Sequence, residues 1–376
     1  MAKNDNLHKA KDAKNDEFYT RIEDVAEELR HYKKHFAGKV VFCNCDDPTW
    51  SAFWRYFHLN FAELGLKKLI STHYDRTEPT YKMEYEGGDD NNVEVGVKTP
   101  LEGNGDFRNR ECLDLLDESD IVVTNPPFSL FREYVAVLMK HQKKFLILGN
   151  MNALTYKEIF PLVRDNQLWY GASIHSGDRK FYVPNDYPLK ASGCGVDNNG
   201  QKFIRVKGVR WYTNLDYKAR HEKLVLWKNY TPEEYPKYDN YDAINVNKYS
   251  EIPCDYDGVM GVPITFIDYY CPEQFEIVAF RKGNDGKDLV FTREREREFN
   301  RTFVSLYDID SWDDKKRRRQ NQWKAYLREN NNQTEIEAVD YFYPLSIKSR
   351  AAGTMNGLIN GKETYRRILI CKKADT

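Results

Sequence analysis

Asn125, Pro126, Pro127 and Phe128 are the residues of this sequence whose types and spacing could do chemistry together. They directly follow the β-branched run Asp120-Ile121-Val122-Val123-Thr124 and directly precede the amphipathic stretch Ser129-Leu130-Phe131-Arg132-Glu133-Tyr134. An aromatic exocyclic amine is a poor nucleophile because its lone pair is conjugated into the ring; it improves when both of its hydrogens are held by acceptors. At the carboxyl end of a strand the Asn125 side-chain oxygen can take one hydrogen and the Pro126 carbonyl the other, with two successive prolines fixing the backbone that aims that carbonyl. Phe128 can stack on the base. The chemistry would be attack on an electrophilic methyl group, helped by preorganised acceptors and near-attack positioning, with no strong general base. The competing reading is a Pro-Pro loop that merely stops a buried strand, with Asn125 capping a turn.

A methyl donor must bind beside this tetrapeptide. The run Val40-Val41-Phe42-Cys43-Asn44 leads into Cys45-Asp46-Asp47-Pro48 and an aromatic stretch with Trp50, Phe53, Trp54, Phe57 and Phe61. No Gly-rich phosphate cradle follows that run, which counts against NAD or ATP and suits a cofactor with a sulfonium and an ammonium group. Asn44 stands at the strand end, and Asp46 or Asp47 could pair with those charges. Asp47 reads equally well as a helix N-cap with Pro48 at the first helical position. Asp106, in Gly103-Asn104-Gly105-Asp106-Phe107, could accept from an adenine amine of the cofactor with Phe107 against its ring, or could simply make a turn. The cluster Asp16-Glu17-Phe18-Tyr19-Thr20 says little by itself.

The elements that must position these residues alternate in the first half of the chain. Strands are predicted at 39–44, 67–71, 120–124 and 144–149, and helices at 23–35, 48–64 and 129–141, where Leu130, Tyr134, Val137 and Leu138 keep helical spacing. The alternation predicts an α/β fold: a Rossmann-like, doubly wound, mostly parallel sheet with ligands bound off the strands' carboxyl ends. Residues 75–104, rich in Gly, Asp, Asn and Thr, read as a surface loop or hairpin. After about residue 215 the pattern changes to Tyr, Pro, Asn and Asp clusters, so domains are predicted at 1–215 and 216–376.

With 376 residues, 41% hydrophobic and 31% charged, the chain can bury a sizeable core, which excludes wholesale disorder. Its formal net charge of −1 argues against a histone-like packer, so an acidic partner must be met by local patches. Residues 291–376 carry 18 basic against 13 acidic residues, whereas 216–290 carry 9 against 14. Two patches interleave basic and aromatic residues. In 202–212 one strand face with Arg205 and Lys207 could meet phosphates, unless it is a lysine-guarded edge strand. Residues 315–328, with Arg317 and Arg318, could lie along a groove if helical, or be a solvated face, as the run Arg293-Glu294-Arg295-Glu296-Arg297-Glu298 is expected to be. Phosphate contacts would make affinity fall by about 0.9 log units per log unit of salt for each phosphate neutralised.

The seven cysteines lack metal-ligand spacing and are odd in number, which predicts no metal site and a reduced, cytoplasmic setting. Cys43 and Cys45, two apart in a strand-like run, would share one face but are expected to be packing thiols. The polar N-terminal stretch and the short apolar runs predict neither signal peptide nor membrane span.

The order of Glu17-Phe18-Tyr19-Thr20, the cofactor strand, Gly105-Asp106-Phe107 and Asn125-Pro126-Pro127-Phe128 resembles the gamma class of DNA amino-methyltransferases. More narrowly, Cys43–Pro48, Ser119–Phe131, Tyr235–Asn247, Gly258–Phe266 and Tyr365–Ile370 resemble the EcoRI-type adenine-specific methyltransferases, in matches spread from residue 8 to about 290 and closed by the last. The resemblance implies a class I, S-adenosylmethionine-dependent enzyme that methylates N6 of a flipped adenine in duplex DNA. Restriction-modification, action as a monomer and pairing with an endonuclease would follow. It adds Tyr19 and Thr20 to the cofactor residues, Asn125 among them. It also implies that Phe181 lies against the flipped base, though a core aromatic at a strand start reads the same. Residues 291–360 appear as an insertion in the expected target-recognition region. Two other readings share these motifs: methylation of an RNA base or a protein glutamine amide, and a DNA-binding protein without catalysis.

Overall fold

The computed structural model describes residues 18–75, 79–185, 187–189, 193–238, 243–280, 358–359 and 362–374. They fall into two compact units, 1–220 and 221–376.

In the first unit α1 (Ile22–Leu29) precedes β1 (Val40–Cys43), α2 (Ala52–Leu59), α3 (Phe61–Leu64), β2 (Lys68–Thr72), β3 (Tyr81–Tyr85) and β4 (Val97–Pro100). Then come α4 (Arg110–Glu118), β5 (Ile121–Thr124), α5 (Phe131–Lys140), β6 (Lys144–Asn150), α6 (Phe160–Arg164), β7 (Trp169–Tyr170), β8 (Asp178–Tyr182), β9 (Gly195–Val196), β10 (Lys202–Lys207) and β11 (Val209–Thr213). An eight-stranded sheet has the order β4-β3-β2-β1-β5-β6-β11-β7. Its centre, β2-β1-β5-β6, is parallel, while β3, β4 and β11 join antiparallel. The parallel centre is the one the strand-helix alternation predicted, and the 75–104 excursion is the hairpin β3–β4.

β1 and β5 are buried along their whole length, as strands covered on both faces should be. Val41 and Cys43 share a core cluster with Val25, Leu29, Phe53 and Phe57 of α1 and α2. The alternate residues Val40 and Phe42 point to the opposite face, where Leu115, Leu116, Tyr134 and Leu138 of α4 and α5 are buried. The chain leaves β1 towards β2 on one side and returns to β5 on the other, so a crevice opens between the carboxyl ends of β1 and β5.

Two local expectations are corrected. The helix expected over 48–64 begins only at Ala52, because the Ser51 side chain accepts from Trp54 N and caps it; residues 47–51 form a turn. The stretch 202–212 is not one strand. Gly208, at φ +72°, breaks it into β10, in a three-stranded sheet β8-β10-β9, and β11, in the main sheet. Arg210 is therefore buried, donating to the carbonyls of Val209 at 2.9 Å and His175 at 2.6 Å, and faces no phosphate.

The second unit holds β12 (Ile244–Asn245), β13 (Met260–Val262), β14 (Phe275–Phe280), the small hairpin β15 (Leu358–Ile359) and β16 (Lys362–Glu363), and β17 (Ile368–Lys372). Its sheet has the order β12-β13-β17-β14, so the last strand lies between two earlier ones. Asn245 accepts from Tyr238 OH at 2.8 Å and from Arg367 Nε at 3.2 Å, joining two of the segments that carried the resemblance. No described helix is long and apolar enough to cross a membrane.

Candidate active site

The β5 run ends at Thr124, and the next four residues turn sharply. Pro126 is buried, Pro127 is extended at φ −53° and ψ 122°, and its carbonyl accepts from Leu130 N at 2.9 Å, so the chain winds through a short 3-10 turn into α5. Asn125 Nδ2 donates to the Phe18 carbonyl at 2.6 Å. Its Oδ1 is buried with no hydrogen-bond partner. A buried acceptor left in that state costs about 1–3 kcal/mol, a cost that an incoming N–H donor would remove. Phe128 is half-buried and meets the Phe18 ring edge-on at 6.0 Å. An unsatisfied acceptor thus stands beside an aromatic face at a strand's carboxyl end, an arrangement able to hold a planar amine.

The end of β1 is tied to this point. Thr124 Oγ1 donates to the Asn44 carbonyl at 2.5 Å, and Thr72 Oγ1 donates to Asn44 Oδ1 at 3.0 Å. Asn44 is only 2% exposed and binds the ends of β1, β2 and β5 together. Cys45 turns out of the strand at φ +59°, so it does not continue the face of Cys43 as a strand residue would; the left-handed turn overrides the two-residue alternation. No disulfide joins the seven cysteines, all of which are among the described residues.

The turn next brings Asp46 over β2, where its N–H donates to the Thr72 carbonyl at 3.0 Å and its own carbonyl accepts from Ser71 Oγ. The Asp46 carboxylate accepts from Ser51 Oγ. Burial pushes this carboxyl up to about 7 against the lowering effect of that hydrogen bond. Asp47 is not the helix cap. Its carboxylate accepts from Thr49 N at 2.9 Å, Thr49 Oγ1 at 2.8 Å and Tyr81 OH at 2.8 Å, and lies 3.7 Å from His73 Nε2. Ser51, nearer the first helical turn, takes the cap, and Asp47 makes an Asx turn instead.

The loop 103–107 lies over the end of β2. Gly105 has φ +74°, and a Cβ there would come within 2.1 Å of the His73 carbonyl oxygen, so only glycine lets the loop approach this closely. Asp106 is gripped by Arg108, whose Nε and Nη2 reach it at 2.9 and 2.6 Å and whose backbone N–H donates at 2.9 Å. The guanidinium holds the Asp106 carboxyl below the usual range. Phe107 is buried, edge-on to Tyr134 at 4.9 Å.

The N-terminal cluster closes the arrangement. Tyr19 pairs with Tyr182 of β8 through reciprocal backbone bonds of 2.9 and 3.0 Å, and Thr20 Oγ1 is buried without a partner. Asn44, Asp46, Asp47, Asp106, Phe107, Asn125 and the Phe18–Thr20 segment therefore converge on the carboxyl ends of β1, β2 and β5. Phe181 is only 2% exposed and packs against Phe18 at 6.0 Å, on the core side of β8. Arg205 and Lys207 alternate outward on β10, on the face opposite Ile204 and Val206. Arg205 pairs with Asp178 at 3.1 Å, and Lys180, directly across from it, sits over the rings of Tyr182 and Phe203. Arg317, Arg318 and most of 291–360 lie outside the described residues.

Sequence reasoning assigned no role to Phe18, Ser51, Thr72, Arg108 or Thr124. Ser51 at cap spacing and the strand-end threonines were legible as types. The Phe18 carbonyl and the reach of Arg108 depend on tertiary approach and leave no local signal.

The family described as adenine-specific methyltransferase EcoRI matches residues 6–373. The Type II methyltransferase M.EcoRI of Escherichia coli is 50% identical over 303 residues, covering 77% of this chain and 93% of that protein. The Type II methyltransferase M.MpnI of Mycoplasma pneumoniae is 43% identical over 276 residues, 72% of this chain and 84% of its own. M.MgeORF184P of Mycoplasma genitalium, also a Type II methyltransferase, is 42% identical over 278 residues, 72% and 85% of the two chains. No solved structure matches the chain.

Proposed function

We propose, from the premise that this chain belongs to the adenine-specific EcoRI methyltransferase family, that Asn125 and Pro126 hold the hydrogens of the target amine while Phe128 stacks on its ring. The enzyme is an adenine-specific DNA methyltransferase of the restriction-modification type, acting at N6 with S-adenosylmethionine as methyl donor. The observation that carries the residue assignment is the buried, partnerless Asn125 Oδ1. With one N6 hydrogen on Asn125 Oδ1 and the other on the Pro126 carbonyl, the nitrogen lone pair is released from conjugation for in-line attack. A target adenine within a duplex must leave the stack to reach Phe128, at a cost of a few kcal/mol.

The residues at the strand ends fit the methyl donor. Thr20 Oγ1 lacks a partner, the partly buried Asp46 carboxyl is raised by burial, and no glycine-rich phosphate cradle is present. Asp46 and Asp47 would face its cationic groups. Tyr19, Thr20, Asn44, Asp106 and Phe107 would line the rest, with Asn125 between the two substrates. When bound, S-adenosylmethionine supplies a methyl group on a positively charged sulfur. Asp46 can pair with a cation only when ionised, and its carboxyl sits at about 7 in the cofactor-free protein. It is therefore charged above that pH and neutral below it. S-adenosylmethionine affinity is expected to fall as the pH drops from 8 to 6, approaching about tenfold per unit at the acid end. Calorimetric titration across this range measures the slope, and Asp46→Asn should flatten it. An undiminished slope in that variant assigns it to another group.

On the DNA side, the outward face of β10 with Arg205 and Lys207 would meet phosphates, joined by Arg317 and Arg318. Residues 216–376 would recognise the target site. Arg205→Ala with Lys207→Ala should flatten the salt dependence of DNA binding by about 0.9 per lost phosphate contact; an unchanged slope removes this face from the interface. The enzyme would act as a monomer in the cytoplasm, paired with an endonuclease. Sequencing DNA from a methylation-free host that expresses the chain tests the function. Modified adenine at one recurrent motif is expected, and an unmodified genome despite soluble, cofactor-binding protein would overturn it.

A further inference from the structure

The Asn125 side chain has two ends, and only one of them is free. Nδ2 is spent on the Phe18 carbonyl at 2.6 Å, while Oδ1 has no partner. A carbonyl can only accept, so it selects the amide rotamer that turns nitrogen towards it and oxygen away. That carbonyl does not float. The Phe18 ring is buried, 6.0 Å from Phe128, 6.0 Å from Phe181 and 6.4 Å from Tyr187. The next residue, Tyr19, is clamped to Tyr182 by the paired backbone bonds described above. The side chain offered to the substrate is thus aimed by a peptide group from a segment more than 100 residues away in the chain.

We propose that Phe18 is a positioning residue for methyl transfer: its backbone carbonyl holds the Asn125 amide so that Oδ1, and not Nδ2, faces the target amine. This rests on the reading of Asn125 as the acceptor of that amine. An inverted amide would bring two oxygens together at Phe18 and present N–H groups to the N–H groups of the substrate, both unfavourable. The Tyr19–Tyr182 bridge ties the aiming segment to the edge of the three-stranded sheet that carries Lys180, Arg205 and Lys207, so displacement of β8 would be felt at Asn125.

The arrangement demands a donor at Nδ2, and this separates asparagine from aspartate. A carboxylate at position 125 has two acceptors and cannot donate to Phe18, but a protonated carboxyl can donate from one oxygen and accept with the other. The facing carbonyl disfavours the ionised form and raises the pH at which the switch occurs. Single-turnover methyl transfer by Asn125→Asp, divided by wild type at each pH from 5 to 9, is the test. The ratio is expected to be about 0.01 or less at pH 8 and to climb roughly tenfold per unit on acidification, as general proton linkage requires. If Asn125 merely accepts from the substrate, the carboxylate is the better acceptor and the ratio rises with pH instead. A ratio that rises with pH, or does not change with pH at any level, overturns the proposal. Thermal melting and S-adenosylmethionine binding of the variant establish that it is folded. Asn125→Ala separates the two readings: full turnover there sinks the assignment of Asn125 itself, whereas loss there with the wrong pH response of Asn125→Asp sinks only the role of Phe18.

Discussion

Asn125→Ala is expected to lower the rate of methyl transfer by about 100- to 1,000-fold, the cost of losing one preorganised donor or acceptor at a reacting centre. The affinity for S-adenosylmethionine should change little, because the strand ends are tied by Thr124, Asn44 and Thr72 and not by Asn125. Single-turnover kinetics with saturating cofactor and duplex give the rate, and calorimetry gives the affinity. The two readouts must part company. A parallel fall in both would mean that Asn125 chiefly shapes the cofactor pocket, and unchanged turnover would remove it from the chemistry. The orphaned Oδ1 also predicts a side effect on stability. Alanine deletes an unsatisfied acceptor together with a satisfied donor, so the free enzyme should lose little.

The largest effect on stability is expected at a residue that touches no substrate. Glu28 of α1 is fully buried, and its carboxylate accepts from Tyr32 OH, Ala172 N and Ser173 N, each at 2.7 Å. Packing around it is tight enough that a Cβ at Gly171 would lie 2.2 Å from Glu28 Oε1 and 2.5 Å from Trp211 Cβ. Glu28→Ala strands three donors in a dry environment and should cost about 3–5 kcal/mol of unfolding free energy. Glu28→Gln keeps an acceptor and should cost less. Urea denaturation measures both; a loss under about 1 kcal/mol for the alanine variant would mean that water reaches the site. The consequence for catalysis is indirect. α1 follows Thr20, and Ala172 and Ser173 lead into β8, so Glu28 joins the two segments that meet at the Tyr19–Tyr182 pair.

The parallel centre of the sheet was legible because its strands carry their evidence locally. Runs such as Val40–Cys43 and Ile121–Thr124 are buried on both faces, so they read as continuous apolar stretches. Asn125 through Phe128 were legible because the prolines themselves stop the strand. Misreadings arose where local patterns competed. Asp47-Pro48 has the look of a helix start, but Ser51 lies nearer the first turn and wins the cap. The basic stretch around Arg210 alternates like one strand, yet Gly208 divides it between two sheets and sends Arg210 inward. The aromatic types at 18 and 181 were visible, but not that their rings meet and leave Phe181 buried. No spacing rule encodes the bond from Asn125 to a carbonyl at position 18, which exists only once the chain has folded back.

The position of β17 governs when this protein can be finished. The strand Ile368–Lys372 pairs with both β13 and β14 and fills the middle of its sheet, although it follows both of them in chain order. Until Ile368–Lys372 has been made, the β13 and β14 edges that it pairs with lack that partner, and open strand edges invite pairing with other chains. The first unit needs nothing beyond residue 220 for its internal contacts and can assemble long before. Birth is thus staged, with the strand-end crevice built early and the sheet of the second unit sealed only once Ile368–Lys372 has emerged. A stop codon anywhere before Ile368 would remove this keystone strand and leave β13 and β14 without the partner that joins them.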